Sequence, residues 1–169
     1  MISKARLEEL FQDKAIKKCP PDIRAAERLL QRAFKDLRTA ERNINEDPEC
    51  AFTYAYTAMM RAGLALMESR GFRTASTHKH QTVVRFVAAE LGPEHSSDFE
   101  GFDILRIKRN RFVYEPDLPC SVAEATAALR AARPFVDLLN EMVERESGQA
   151  GLGFDGKGDP GASKAKPPK

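Results

Sequence analysis

The stretch that most restricts the fold runs from Asp47 to Gly71. Asp47-Pro48 reads as an N-cap followed by proline at the first helical position, and Gly71 as a left-handed C-cap. Between them Phe52, Tyr56, Met59, Gly63 and Leu66 form one stripe, while Ala51, Ala55, Ala58, Ala62 and Ala65 keep the remaining surface small. A helix with so little polar surface must be surrounded, so it is expected at the centre of a helical bundle. Its neighbours carry the same period. From Asp22 to about Asn45, Ala26, Leu29, Leu30, Ala33, Leu37 and Ile44 recur at steps of three and four, as on a buried helical face.

Further helices are expected on either side. Ile2 to Lys18 reads as an amphipathic N-terminal arm broken by Cys19-Pro20-Pro21. Thr77 can cap a helix from His78 to Leu91, stopped by Gly92-Pro93. Ser97 with Glu100, and Ser121 with Glu124, look like capping boxes that open two more. The second runs to about Glu146 and contains Pro134, which should kink or split it. Strand patterns are almost absent. The expected fold is all-α, an up-and-down bundle of four main helices with an N-terminal helical arm. Residues 1–146 form that bundle, with 1–18 as the arm. Residues 147–169 hold six of the ten glycines and three prolines, so a disordered Gly/Pro/Lys-rich tail is expected there.

Charge narrows the function classes. The chain carries a formal +2, but four lysines and two aspartates from Ser147 onward account for all of it. Residues 1–146 are therefore near neutral, and a nucleic-acid site would have to be a local patch. No segment approaches the roughly 20 apolar residues of a membrane span. The charged opening MISKARLEELF lacks the apolar core of a signal peptide, and three scattered cysteines fit a reducing compartment, so a cytoplasmic location with no membrane contact is expected. No glycine-rich phosphate loop, zinc spacing or Ser/His/Asp set is present, and no cofactor or metal is expected.

One arrangement is not explained by packing alone. On a helical wheel at about 100° per residue, Phe102, Leu105, Phe112 and Val113 gather on one arc with Arg109 in its middle. A buried arginine is costly unless paired. Either its stem packs while the guanidinium reaches solvent or a core carboxylate, or this face meets a second subunit or a phosphate-bearing ligand. Asn110 and Tyr114, four apart, stack on the neighbouring edge. His78 and His80, two apart, would point about 200° from each other on a helix and are poorly placed to share a metal.

The pattern Arg109-Asn110-x-x-x-Tyr114 resembles the signature of the HEPN family, in which an arginine, usually followed by a polar residue, precedes a histidine by four to six positions. The run from Ala51 to Arg73 followed by Thr77-His78-Lys79-His80 is also similar to HEPN sequences, and the resemblance spans Asp22 to Val143. It implies a helical bundle that pairs as a homodimer through the Arg109 helix, bringing two motifs together across a cleft. It also implies an RNA or nucleotide ligand, metal-independent ribonuclease activity in many members, and membership of toxin–antitoxin or defence systems with an antitoxin protein as partner. By the same resemblance Arg109 would grip phosphate and Asn110 would orient it. Tyr114 stands where the family has histidine. Tyrosine is a poorer base than histidine near neutral pH, though it can donate to phosphate or stack on a base. Two functions follow: a dimeric module, catalytically weak or inactive, that binds RNA, a nucleotide or a protein partner; or a metal-independent endoribonuclease in which Tyr114, or a histidine such as His78, moves the proton.

Overall fold

A computed structural model describes residues 4–115 and 117–148. Its elements in order are α1 (Lys4–Gln12), β1 (Ile16–Lys18), α2 (Ile23–Asn43), α3 (Pro48–Ser69), β2 (Phe72–Thr74), α4 (Lys79–Leu91), a 3-10 turn (Pro93–His95), α5 (Ser96–Tyr114) and α6 (Val122–Ser147). The fold is all-α in substance, but it has six helices among the described residues, where four main helices and an arm were expected. Helices α4 and α5 are separate members on the flank of the α2–α3–α6 core, so a four-helix description does not fit. The expected disordered tail falls on 149–169 and lies outside the described residues.

Helix α3 is the centre, as its small, apolar surface requires. Phe52, Tyr56, Met59, Met60, Leu66 and Met67 are all buried, on more than one face. Its ends follow the local chemistry. Asp47 Oδ1 accepts from Cys50 N at 2.9 Å, and Gly71 takes φ +75°, a left-handed conformation open to glycine at little cost. Asp22 caps α2 in the same way, 2.8 Å from Ala25 N. Ser121 and Glu124 close a reciprocal capping box at the start of α6. Pro134 does not split α6, which runs unbroken through it.

Three local expectations fail. The arm is helical only to Gln12; Lys14 then turns with φ +52°, and Ala15 and Ile16 are buried as the chain extends into β1. Strand β1 pairs antiparallel with β2, with Ile16 opposite Thr74 and Lys18 opposite Phe72. This pairing satisfies backbone groups that a continuing amphipathic helix would have kept to itself. The Ser97–Glu100 capping box does not form. Helix α5 starts at Ser96, and its first turn is tied instead by His95 Nδ1 with Asp98 Oδ2 at 2.9 Å. Helix α4 begins one residue after His78, whose side chain makes no capping bond.

What positions the site is the close approach of α4 and α5 to α3. A Cβ on Gly63 would lie 2.5 Å from Val83 Cγ1 and 3.2 Å from Val87 Cγ2. Glycine therefore sets how near α4 can lie. Phe102 of α5 packs on Tyr56 of α3 and on Phe135 of α6, with ring centres 5.9 and 5.1 Å apart. Phe112 meets Phe52 edge-on at 5.0 Å. Among the described residues no helix is long and apolar enough to cross a membrane.

Candidate functional site

The beginning of α4 and the second half of α5 enclose an open cavity of about 400 Å³. Thr77, His78, Lys79, His80 and Gln81 line it from one side. Arg106, Arg109, Asn110 and Tyr114 line it from the other. The lining is mostly polar, includes three permanent cations, and contains no carboxylate. Arg109 is half-buried between Leu105 and Phe112 on the inner side of α5. Among the described residues no carboxylate pairs with it, whereas Arg106 is held by Asp103, with Nε 2.7 Å from Oδ1. No core carboxylate meets Arg109 among the described residues, so its stem packs while its charge is left to solvent and the cavity. Asn110 is exposed at the rim, and Tyr114 is 79% exposed, so its hydroxyl is not fixed by packing.

The best-positioned histidine is His80. Its ring stacks on buried Tyr56 at 5.7 Å with planes 18° apart, and its Nδ1 lies 2.5 Å from the Tyr56 hydroxyl. The phenol hydrogen has no other acceptor among the described residues, so the tautomer that leaves no buried donor unsatisfied has Tyr56 donating to Nδ1 and the ring hydrogen on Nε2. Burial, followed by the charges of Arg109, Lys79 and Arg106, holds the His80 pKa below its ordinary 6.5. Burial pushes Tyr56 up to about 12, with Arg106 and Arg109 opposing only in part. Near neutral pH the pair is therefore an uncharged imidazole and an intact phenol.

His78 also lines the cavity but has no comparable anchor. It sits at the helix cap with φ −85° and ψ 49°, so a helical wheel does not describe its direction relative to His80. Arg61 is paired with the buried Asp36 on α2 and does not line this cavity. Tyr56 is both a core residue and the support beneath His80. Sequence reasoning noted the Thr77–His80 turn, but named only His78 from it as a site residue, and it gave no site role to Lys79, His80, Gln81 or Arg106.

A protein-family model described as the HEPN domain matches residues 26–142. The match covers more than half of the chain and includes the whole of α3, α4 and α5. The chain belongs to the HEPN family. No curated protein and no solved structure gave a match. Within this HEPN chain Arg109 faces the cavity and Tyr114 stands exposed at its rim. The HEPN domain here brings a histidine, from the start of α4, to the same cavity. Among the described residues no group of three or more His, Cys, Asp or Glu side chains could hold a metal ion.

Proposed function

We propose that this protein is a dimeric RNA-binding HEPN module, weak or inactive as a catalyst, that grips the phosphodiester backbone in the α4–α5 cavity. The observation that carries this reading is the polar cavity with Arg109 and Lys79 on its walls, Arg106 beside them held by Asp103, and no carboxylate in its lining. Such a surface attracts an anion by charge, and the Arg109 fork suits a phosphate's oxygens. His80 Nε2–H adds a neutral donor. Asn110 and Tyr114 supply further donors at the rim. Pairing through α5 is supported by its outer face, where Ile107 is 47% exposed and lines neither cavity. A second copy would cover this side chain and bring two cavities near each other.

The second reading, a metal-independent endoribonuclease acting as a toxin, is favoured by His80 itself. An imidazole beside an arginine is the pairing needed to move the 2′-hydroxyl proton and stabilise the developing phosphorane. Against it stands the tautomer. For Nε2 to accept a proton, Nδ1 must donate to Tyr56, which leaves the buried phenol hydrogen without an acceptor among the described residues. An unsatisfied buried donor costs about 1–3 kcal/mol. Binding is therefore preferred over cleavage.

A gel-shift titration with structured RNA tests the first reading, and Arg109→Ala is expected to abolish the shift. Unchanged binding would remove the cavity from the account. Incubating the same RNA in EDTA tests the second. Cleavage lost in both Arg109→Ala and His80→Ala would make the protein a ribonuclease; intact RNA is expected.

A further inference from the structure

The polar cavity has a neighbour. Gln81 and Arg106 line both it and a second cavity of about 410 Å³, which continues along the α4–α5 groove toward the start of α5. The second cavity differs in chemistry. Val84, Ala88, Phe99 and Ile104 give it a largely apolar surface, and Glu100 and Asp103 bring carboxylates to it. We propose that this second cavity is a nucleobase subsite, taking a base of single-stranded RNA adjacent to the phosphate held beside Arg109. The proposal rests on the phosphate reading of the first cavity and names which form of RNA that site takes.

Three observations lead to a base as the occupant. First, the two cavities share Gln81 and Arg106 and so adjoin, and a nucleotide joins an anionic group directly to a planar apolar one. Second, the charges divide the work. Phosphate is repelled by Glu100 and Asp103 and drawn to the carboxylate-free cavity next door. A base is uncharged and can donate its exocyclic amino hydrogens to those same carboxylates. Third, the cationic groups around the second cavity are already engaged. Arg85 is bonded to Asp13, with Nη2 2.6 Å from Oδ2, and Arg106 to Asp103. They offer guanidinium surfaces for stacking more than free charge for a second phosphate. Phe99 is half-buried beside them, with the Arg6 guanidinium carbon 6.0 Å from its ring centre. Cavities of this size lie within the range of about 300–1,000 Å³ usual for small-molecule sites.

A paired duplex keeps its bases stacked inside, so only unpaired nucleotides can fill both cavities. Fluorescence anisotropy on the full chain tests this with two labelled probes of equal length. One is a single-stranded oligoribonucleotide, and the other is the matching abasic ribose-phosphate chain. Wild type is expected to bind the base-bearing strand about tenfold more tightly, in keeping with base stacking on aromatic side chains. Phe99→Ala should bring the two probes together without weakening the abasic one, and Arg109→Ala should weaken both. Equal affinity of wild type for both probes, with Arg109→Ala still lowering both, would overturn the base subsite and leave the phosphate site standing. Failure of wild type to bind either probe would overturn both. As a measurement independent of variants, a 5-iodouridine strand should photocrosslink to wild type at Phe99. Crosslinks confined to Tyr114, or none at Phe99, would contradict the assignment.

Discussion

His80 is the residue on which the chemistry of the cavity turns. Its pKa is held below 6.5 by burial and by Arg109, Lys79 and Arg106. Two results follow that need no RNA. By NMR titration the His80 ring should show a midpoint below 6.5, and Arg109→Ala should raise that midpoint toward the ordinary value. A midpoint indifferent to Arg109 would mean the two side chains do not share a cavity. The sign of the stability effect follows from linkage. Because the folded pKa is depressed, the His80 contribution is present above 6.5 and is lost as pH falls through the folded value. His80→Gln should therefore weaken the loss of stability on mild acidification, read as thermal midpoints on either side of pH 6.5. Much of this was hidden in the sequence. Arg109 is legible as a charge on an apolar arc, and Tyr114 as the residue in the histidine position of the motif. A histidine at the start of α4 is legible as a partner for Arg109, but His78 was the one named, because nothing local shows that His80 is the ring seated on Tyr56. Tyr56 could be read as a site residue or as core, and packing was the preferred reading, since nothing local tells which core tyrosine lies beneath a histidine 24 residues on.

At the scale of elements, the closest constraint is between α3 and α4. A methyl group at Gly63 would meet Val83 Cγ1 at 2.5 Å, and valine has little rotamer freedom with which to yield. Gly63→Ala improves helix propensity by up to about 1 kcal/mol, yet overpacking of this kind costs about 1–3 kcal/mol. A net loss of stability is expected in chemical denaturation. Because α4 carries Lys79 and His80, the same substitution should also weaken RNA binding. Stability equal to or above wild type would mean that α4 is not held so close. The helices themselves were largely legible. The Asp22, Asp47 and Ser121 caps, the Gly71 stop and the central place of α3 all follow from local residue chemistry. The β1–β2 pairing was not legible, because Ile16–Lys18 and Phe72–Thr74 are too short to carry a period and find each other only in the folded chain. The false capping box at Ser97–Glu100 has the same origin, since the 3-10 turn at Pro93–His95 starts α5 one residue earlier.

For the whole molecule, the fold holds buried charge away from the cavity, and this sets its dependence on pH. Glu90 is 4% exposed, with Oε2 accepting from Arg70 Nε at 3.1 Å and Oε1 without a hydrogen-bond partner among the described residues. Arg70 also pairs with Glu146, so one guanidinium serves carboxylates from α4 and α6. Burial raises the Glu90 pKa despite Arg70, and Asp36 is raised in the same direction despite Arg61. A raised carboxyl pKa stabilises the fold below the unfolded value and loses that contribution as pH rises through the folded one. Glu90→Gln, which keeps shape and hydrogen bonding, should flatten the fall in thermal stability from about pH 4.5 upward. A steeper fall would show that Arg70 outweighs burial. Assembly is a second property at this scale. Ile107→Glu on the outer face of α5 should shift the protein from dimer to monomer in sedimentation, and an unchanged mass would place any pairing elsewhere.

The most direct test of the central reading, that Arg109 and its neighbours grip an RNA backbone, is the salt dependence of RNA binding. For single strands the slope of log K against log salt is about −0.7 for each phosphate neutralised. Wild type, Arg109→Ala and Lys79→Ala would be titrated with the same single-stranded RNA across a range of salt. The account predicts that each substitution weakens binding and reduces the slope by roughly one contact. Slopes identical in all three proteins would mean that the backbone is bound elsewhere, and would contradict it.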